Sequence, residues 1–157
     1  MINATQIKLL VYDFDGVMTD NRVLVDENGK ESVIVHRGDG YAVSQIFKLG
    51  INQIILSTER NDVVTKRGKK LNLDVIHGVE DKKTILLQYC KKKQIQLKNV
   101  MFIGNDLNDY ECMKCVGLKG CPADAECEIL EIADWIAKSK GGYGVIRELL
   151  RELTIKS

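Results

Sequence analysis

Four short apolar runs, separated by charged amphipathic stretches, constrain this chain more than any other feature. Ile7–Tyr12 (IKLLVY), Asn52–Leu56 (NQIIL), Asp74–Ile76 and Val100–Ile103 (VMFI) have strand length, and they are too uniformly apolar for a sheet with one wet face. Between them, Tyr41–Leu49 has helical spacing and stops at Gly50. A basic helix is predicted from about Asp62 to Leu71, and residues 82–93 place Ile85, Leu86 and Tyr89 on one helical face. Short strands at Val116–Leu118 and Asp134–Ile136 and a helix over Val145–Leu153 complete the alternation. This order predicts the α/β class, with a mainly parallel sheet covered by helices on both faces. Arg22–Val25 and Ser32–Val35 flank Asp26-Glu27-Asn28-Gly29. Asn-Gly between two such runs predicts a β-hairpin flap, about residues 21–36, inserted after the first strand.

The 157 residues show no repeat and no linker, so one domain spanning 1–157 is expected. Lys plus Arg number 23 against 22 acidic residues, which leaves no global field to recruit nucleic acid or a membrane surface. No apolar run approaches the roughly 18 residues of a membrane span, and the first residues lack a signal-peptide pattern. A cytoplasmic location is therefore expected. Cysteines at 90, 112, 115, 121 and 127 make an odd set. The Cys112-Met-Lys-Cys115 spacing is open to zinc or redox chemistry, but free buried thiols are the plainer expectation because a zinc ribbon needs two turn-borne pairs.

In an open parallel α/β sheet, ligands bind beyond the carboxyl ends of the strands. The notable polar residues fall there: Asp13 and Asp15 after the first strand, and Ser57 and Thr58 after the second. Lys82 opens the helix after the third, and Asn105, Asp106 and Asp109 follow the fourth. This donor set suits phosphate-monoester hydrolysis. A carboxylate nucleophile, Asp13, splits the reaction into two displacements. A second carboxylate, Asp15, is placed to protonate the leaving oxygen and later to deprotonate water. Carboxylates beside a phosphate need a bridging hard cation, and oxygen donors favour Mg²⁺. Ser57 can donate to a phosphoryl oxygen and Lys82 can neutralise one. Each motif alone has a plain alternative: a turn for Asp-x-Asp-Gly, a solvated lysine, a helix cap for Asn105–Asp109. Their ordered recurrence at strand ends argues for the functional reading.

Asp13-Phe-Asp15-Gly16-Val17-Met18-Thr19-Asp20 resembles the first motif of the haloacid-dehalogenase superfamily, and Ser57, Lys82 and Gly104-Asn-Asp-Leu-Asn-Asp109 resemble its second to fourth. The Gly-Val-Met-Thr-Asp extension, the early hairpin and the lack of an inserted cap resemble the branch acting on sugar-acid phosphates: 3-deoxy-D-manno-octulosonate 8-phosphate and nonulosonate (sialic-acid or KDN type) 9-phosphate phosphatases. A similar module accompanies acylneuraminate cytidylyltransferases. The resemblance implies a Rossmann-like three-layer sandwich without a cap domain. It also implies Mg²⁺ held by Asp13, Asp15, Asn105 and Asp106, phosphate held by Ser57, Thr58 and Lys82, and a small-molecule sugar phosphate as substrate. It further implies a homotetramer, made partly by the hairpin, in which a neighbouring subunit stands in for the cap. Lys140-Gly-Gly-Tyr-Gly144 resembles the family's glycine-rich strip near the active site, or is a flexible turn.

For substrate choice, Ser57-Thr58-Glu59-Arg60 departs from the Thr-Gly-Arg usual in the octulosonate enzymes, and Glu59 with Arg67 and Lys70 resembles the nonulosonate type. Arg67 and Lys70 lie three apart on one helical face, suited to a substrate carboxylate or simply solvated. Arg37 and Asp39 are expected at the mouth of the site. Asn105 departs from the aspartate usual at its position, which removes one negative charge from the metal set; Asp106 or Asp109 can compensate. The functional expectation is a nonulosonate 9-phosphate phosphatase. An octulosonate 8-phosphate phosphatase, a phosphatase of loose preference, and a non-catalytic oligomerisation module linked to a cytidylyltransferase are the alternatives.

Overall fold

Along the first strand Leu9 and Val11 turn to one side and Leu10 and Tyr12 to the other, and each pair enters a different core. The computed structural model describes residues 2–155, so both outer bounds of the expected 1–157 domain lie outside the described residues. In chain order the elements are β1 (Leu9–Tyr12), β2 (Thr19–Val25), β3 (Glu31–Val35), α1 (Arg37–Lys48), β4 (Asn52–Leu56), α2 (Val63–Leu71) and β5 (Asp74–Ile76). They continue with α3 (Lys82–Lys93), β6 (Val100–Ile103), α4 (Leu107–Cys115), β7 (Leu118–Cys121), α5 (Cys127–Ile132), β8 (Trp135–Ile136) and α6 (Val145–Thr154).

The six-stranded sheet runs β5-β4-β1-β6-β7-β8, and every pairing in it is parallel. Strands β1 and β6 are buried at every position because helices cover both faces. On one face Leu10, Tyr12, Met101 and Ile103 pack with Ile46 of α1, Val64 of α2 and Leu149 and Leu153 of α6. On the other, Leu9, Val11, Val100 and Phe102 pack with Leu86 of α3, Cys112 and Met113 of α4 and Ile129 of α5. This is the expected three-layer α/β sandwich. Among the described residues nothing is inserted that would form a separate cap. Among the described residues no helix is long and apolar enough to cross a membrane.

The hairpin β2–β3 is a separate antiparallel two-stranded sheet. Its turn is the expected one: Gly29 has φ +75°, and Asp26 Oδ1 accepts from the N–H groups of Asn28 and Lys30. The strand begins earlier than expected, at Thr19, and the register shifts between Thr19 and Val23, where Asn21 has φ +63°. Asn is among the few non-glycine residues that accept that region readily.

Two further sequence-based boundaries change. Helix α1 starts at Arg37 rather than Tyr41, because the His36 ring nitrogen Nδ1 accepts from Gly38 N–H and caps it. The strand expected at Val116–Leu118 is β7 at Leu118–Cys121, since Val116 is the C-cap of α4. Helices α4 and α5 had no sequence-based counterpart.

Candidate active site

Asp13 leaves the carboxyl end of β1, and its N–H still donates to Ile103 O at 2.9 Å, so its backbone is held by β6. Its Oδ1 accepts from Phe14 N–H at 2.7 Å and lies 2.8 Å from Lys82 Nζ. Lys82, the first residue of α3, reaches Asp109 Oδ1 at 2.7 Å. Asp109 is fully buried, and its other oxygen accepts from Asn105 N–H at 2.9 Å. Asp106 caps α4 in a capping box with Asp109. Thus β1, α3, β6 and α4 are tied together by one buried chain of charged hydrogen bonds.

Asp15 follows in the turn. Its Oδ1 accepts from the Thr19 hydroxyl at 3.1 Å, and that hydroxyl oxygen accepts from Gly16 N–H at 3.2 Å. Gly16 has φ +77°, and a Cβ there would meet the Asn105 side chain at 2.1 Å, so only glycine permits this approach. Ser57 is buried just beyond β4, with Oγ accepting from Glu59 N–H at 3.1 Å and its hydroxyl hydrogen free to donate elsewhere. Thr58 and Asn108 lie at hydrogen-bond distance, 3.4 Å.

These groups meet in one cavity of about 180 Å³. Asp13, Asp15, Ser57 and Thr58 line one part of it, and Asn105, Asp106, Asn108 and Asn21 the rest. Of the residues expected from the sequence, then, both aspartates of the first motif, both hydroxyl residues and both metal candidates after β6 converge, with Lys82 immediately behind Asp13. Asp109 does not line the cavity; both its oxygens are engaged in holding Lys82 and Asn105. Asn21 and Asn108 were not singled out from the sequence. Asn108 lies inside the fourth motif, whereas Asn21 carries no local signal beyond its tolerance of positive φ.

The remaining candidates sit apart. Glu59 lines an adjoining cavity of about 230 Å³ that shares Asp15 and Asn21 with the first. Arg67 and Lys70 line, with Arg37, a third cavity of about 500 Å³ that shares no lining residue with the catalytic one. There Arg67 Nη2 donates to His36 O at 3.0 Å. The expectation for Asp39 is corrected: it is 1% exposed, and Oδ1 accepts from Arg147 N–H in the first turn of α6. The glycine-rich strip does lie against the turn bearing Asp15. Gly142 N–H donates to Val17 O at 3.0 Å, and a Cβ on Gly141 would stand 2.0 Å from Gly16 O.

The charges explain what the cavity lacks. Burial, then the nearby Asp109 charge, push the Asp13 carboxyl up to about 8, against the pull of Lys82. Burial alone would lower the Lys82 ammonium, but Asp13 and Asp109 outweigh it and hold it above its usual value. Burial also raises Asp15, aided by Glu59 and Glu31 and opposed by the Thr19 hydroxyl and Lys82. One ammonium therefore faces more carboxylate charge than it balances. The Asn105 amide oxygen is buried with no hydrogen-bond partner. Among the described residues no trio of His, Cys, Asp and Glu gathers into a metal set; the cavity lining adds the Asn105 amide to Asp13 and Asp15. An unpaired amide oxygen beside two under-compensated carboxylates fits a hard divalent cation.

The cysteines stay outside this chemistry. All five are free thiols, and burial pushes Cys112 up to about 12 and Cys90 and Cys121 up to about 11. Such thiols are poor nucleophiles.

The sequence model of haloacid dehalogenase-like hydrolases matches residues 44–149. The 3-deoxy-D-manno-octulosonate 8-phosphate phosphatase of Yersinia pestis is 31% identical over 147 residues, 93% of this chain and 79% of that protein. A provisionally assigned HAD family hydrolase from Streptomyces avermitilis superposes with a TM-score of 0.93 at 41% identity, over 95% of this chain and 86% of that one. The octulosonate 8-phosphate phosphatase of Moraxella catarrhalis, solved with a magnesium ion, a phosphate ion and a KDO molecule, gives a TM-score of 0.91 at 28% identity, over 96% and 87%. With this match along the chain, the sheet order and the acidic strand ends, the protein belongs to the haloacid dehalogenase-like hydrolases.

Proposed function

We propose that this chain is a Mg²⁺-dependent phosphomonoesterase acting on a sugar-acid phosphate through an aspartyl-phosphate on Asp13. The observation that carries the reading is Asp13 itself. It is pinned by Phe14 N–H and Lys82 at the wall of a cavity also lined by Asp15, Ser57 and Asn105, whose amide oxygen is buried without a hydrogen-bond partner. Asp13 attacks phosphorus in line, while Ser57 and Thr58 donate to the phosphoryl oxygens and Lys82 offsets their charge. Asp15 gives its proton to the leaving oxygen; in the second displacement it takes one from water, and the Asp13 acyl-phosphate bond breaks to release phosphate. Asp13, Asp15, Asn105 and Asp106 are the residues that would hold the cation, which supplies charge compensation between carboxylates and phosphate.

Glu59 on the adjoining cavity favours a nonulosonate 9-phosphate as the substrate. The roughly 30%-identical octulosonate 8-phosphate phosphatases favour the second reading, an octulosonate 8-phosphate. Arg67 and Lys70 open away from their own catalytic cavity, so their proposed contact with the substrate carboxylate is made to a neighbouring copy in a homotetramer. The exposed apolar hairpin residues Val23, Leu24, Val25 and Ile34 are suited to bury against such copies. Free thiols throughout suit the reducing cytoplasm.

The deciding experiment is phosphate release from a panel of nonulosonate 9-phosphates, octulosonate 8-phosphate and hexose phosphates, with Mg²⁺ and then EDTA. Metal-dependent release strongest on a sugar-acid phosphate is expected. No release from folded protein with Mg²⁺ would leave the non-catalytic assembly module as the better account.

A further inference from the structure

The cavity beside the catalytic one has a wall that the first-motif chemistry does not use. It opens from Asp15 and Asn21, is lined by Val23, Val33 and Val63, and presents the carboxylates of Glu59 and Glu31 together with Arg22, whose guanidinium is bound to Asp20. Glu31 comes from the hairpin strand β3, and Glu59 from the loop after β4. One residue, Asn61, braces both. Its N–H donates to Glu59 Oε1 at 2.7 Å, its amide nitrogen Nδ2 donates to Glu31 Oε2 at 3.0 Å, and its amide oxygen accepts from Val63 N–H at 3.0 Å. The amide nitrogen and the amide oxygen of Asn61 are thus each engaged once. Glu31 Oε1 and Glu59 Oε2 accept no hydrogen bond among the described residues.

We infer that Glu31 is a specificity-determining residue that, with Glu59, accepts hydrogen bonds from hydroxyl groups on the leaving-group carbons nearest the phosphoester. This rests on the phosphomonoesterase reading above. The argument is one of position and charge. A phosphoryl group seated on Asp13 directs its leaving oxygen towards Asp15, and Asp15 is shared by the two cavities. The next atoms of the substrate therefore enter a space where the carboxylates of Asp15, Glu31 and Glu59 outnumber one cation, Arg22, whose guanidinium is itself paired with Asp20 at 2.6 Å. An anionic group there would be repelled by two carboxylates, whereas hydroxyls supply donors without charge. The volume of about 230 Å³ equals about eight waters at roughly 30 Å³ each, enough for a short polyhydroxylated segment. The apolar lining takes the C–H faces of such a chain. Glu31 ties this selection to the hairpin, since it reaches the site only when β3 is paired with β2 and seated against Asn61.

The test compares Glu31→Gln with the parent protein on an alditol phosphate (a terminal polyol ester) and on p-nitrophenyl phosphate, whose leaving group has no hydroxyl to bind. The ratio of kcat/KM for the polyol ester to that for the aryl ester should fall about 10- to 100-fold, the scale of one lost charge-assisted hydrogen bond. Asn61→Ala, which frees both carboxylates from their brace, should lower the same ratio. A ratio unchanged in Glu31→Gln, or equal losses on both esters, would overturn the inference while leaving the phosphomonoesterase reading intact. Titration calorimetry with a non-hydrolysable polyol phosphonate separates the two ideas from the other side. Binding weakened by Glu31→Gln in a protein that hydrolyses neither ester would uphold the polyol site and remove the hydrolytic reading. Binding insensitive to Glu31 would remove the site. An aminoalkyl phosphate preferred over the polyol ester would assign the carboxylates to an ammonium group and also overturn the inference.

Discussion

Lys82 Nζ lies 2.7 Å from Asp109 Oδ1, with side-chain exposures of 1% and 0%. The same ammonium lies 2.8 Å from Asp13 Oδ1, so the proposed nucleophile and the anchor of α4 share one buried cation. Removing that cation leaves two carboxylates buried together, a case in which breaking the set costs more than a solvent-exposed pair could. Lys82→Met should lower unfolding free energy by about 3–5 kcal/mol, and should cut phosphate release by at least about 100-fold, the scale of losing one oxyanion partner. Urea denaturation and a phosphate assay at saturating Mg²⁺ check both. Unchanged stability would mean that Asp13 and Asp109 are not held by this ammonium.

Asp13→Asn separates chemistry from architecture. The amide keeps the shape of the carboxyl and its oxygen can still accept from Phe14 N–H, whose bond to Asp13 Oδ1 is 2.7 Å. It cannot form the acyl phosphate. Turnover should be lost to the assay limit, while circular dichroism and the unfolding midpoint stay close to the parent. Retained turnover would eliminate Asp13 as the nucleophile.

Glu59→Arg tests the finer choice of substrate. The change removes an acceptor from the leaving-group cavity and introduces a cation there. Preference should move towards octulosonate 8-phosphate and away from nonulosonate 9-phosphates, by about tenfold or more in the ratio of kcat/KM, equivalent to about 1.4 kcal/mol. An unchanged ratio would show that Glu59 does not read the sugar.

Glu148 gives a pH dependence distant from the catalytic groups. Its carboxylate accepts from Lys138 N–H at 2.8 Å and from Ser139 N–H at 2.9 Å, and also from the Ser139 hydroxyl at 2.8 Å. It thereby ties α6 to the segment leading into the glycine-rich strip. Burial pushes this carboxyl up, but those three donors outweigh it and hold it below its ordinary value. A depressed value in the folded state means that the stabilisation is present above the unfolded carboxylate value and disappears as pH falls through the folded one. Glu148→Gln should therefore cost about 1–2 kcal/mol at pH 7. The gap to the parent should close as pH drops below about 4. Urea midpoints of both proteins across that window measure the gap, and a gap constant with pH would assign the effect to shape rather than charge.

The sheet and the catalytic cavity could be read from the sequence because each depends on local order. Asp13, Ser57 and Asn105 each follow an apolar strand within one or two residues, and parallel pairing of β4, β1 and β6 brings such strand ends together. What the sequence hid depends on distance along the chain or on weak stripes. Helix α4 opens with the polar run Leu107-Asn-Asp and buries only Asp109, Cys112 and Met113, so its periodicity is faint. Asp39, in His36-Arg-Gly-Asp-Gly40, was expected at the mouth of the site. Its partner is Arg147 N–H, 108 positions away, and no local pattern encodes that. Glu31 meets Asn61 across 30 positions for the same reason. Arg67 and Lys70 do share a helical face, as their spacing requires, but the face turns to a cavity other than the catalytic one.

Asn105 decides how strongly the cation is held. It lines the cavity and its amide oxygen is buried without a hydrogen-bond partner, and aspartate at this position would be nearly isosteric while adding a full negative charge. Asn105→Asp should lower the Mg²⁺ concentration for half-maximal phosphate release by about tenfold, equivalent to about 1.4 kcal/mol. Asn105→Ala, which removes the oxygen altogether, should raise that concentration by a comparable factor. Phosphate release followed against Mg²⁺ concentration in the three proteins reads this directly. A parent protein that is silent at every Mg²⁺ concentration but gains turnover with Asn105→Asp would identify the amide as the cause of a lost activity. Equal Mg²⁺ requirements in all three would mean that residue 105 does not reach the cation, and Asp106 would replace it as the third oxygen donor.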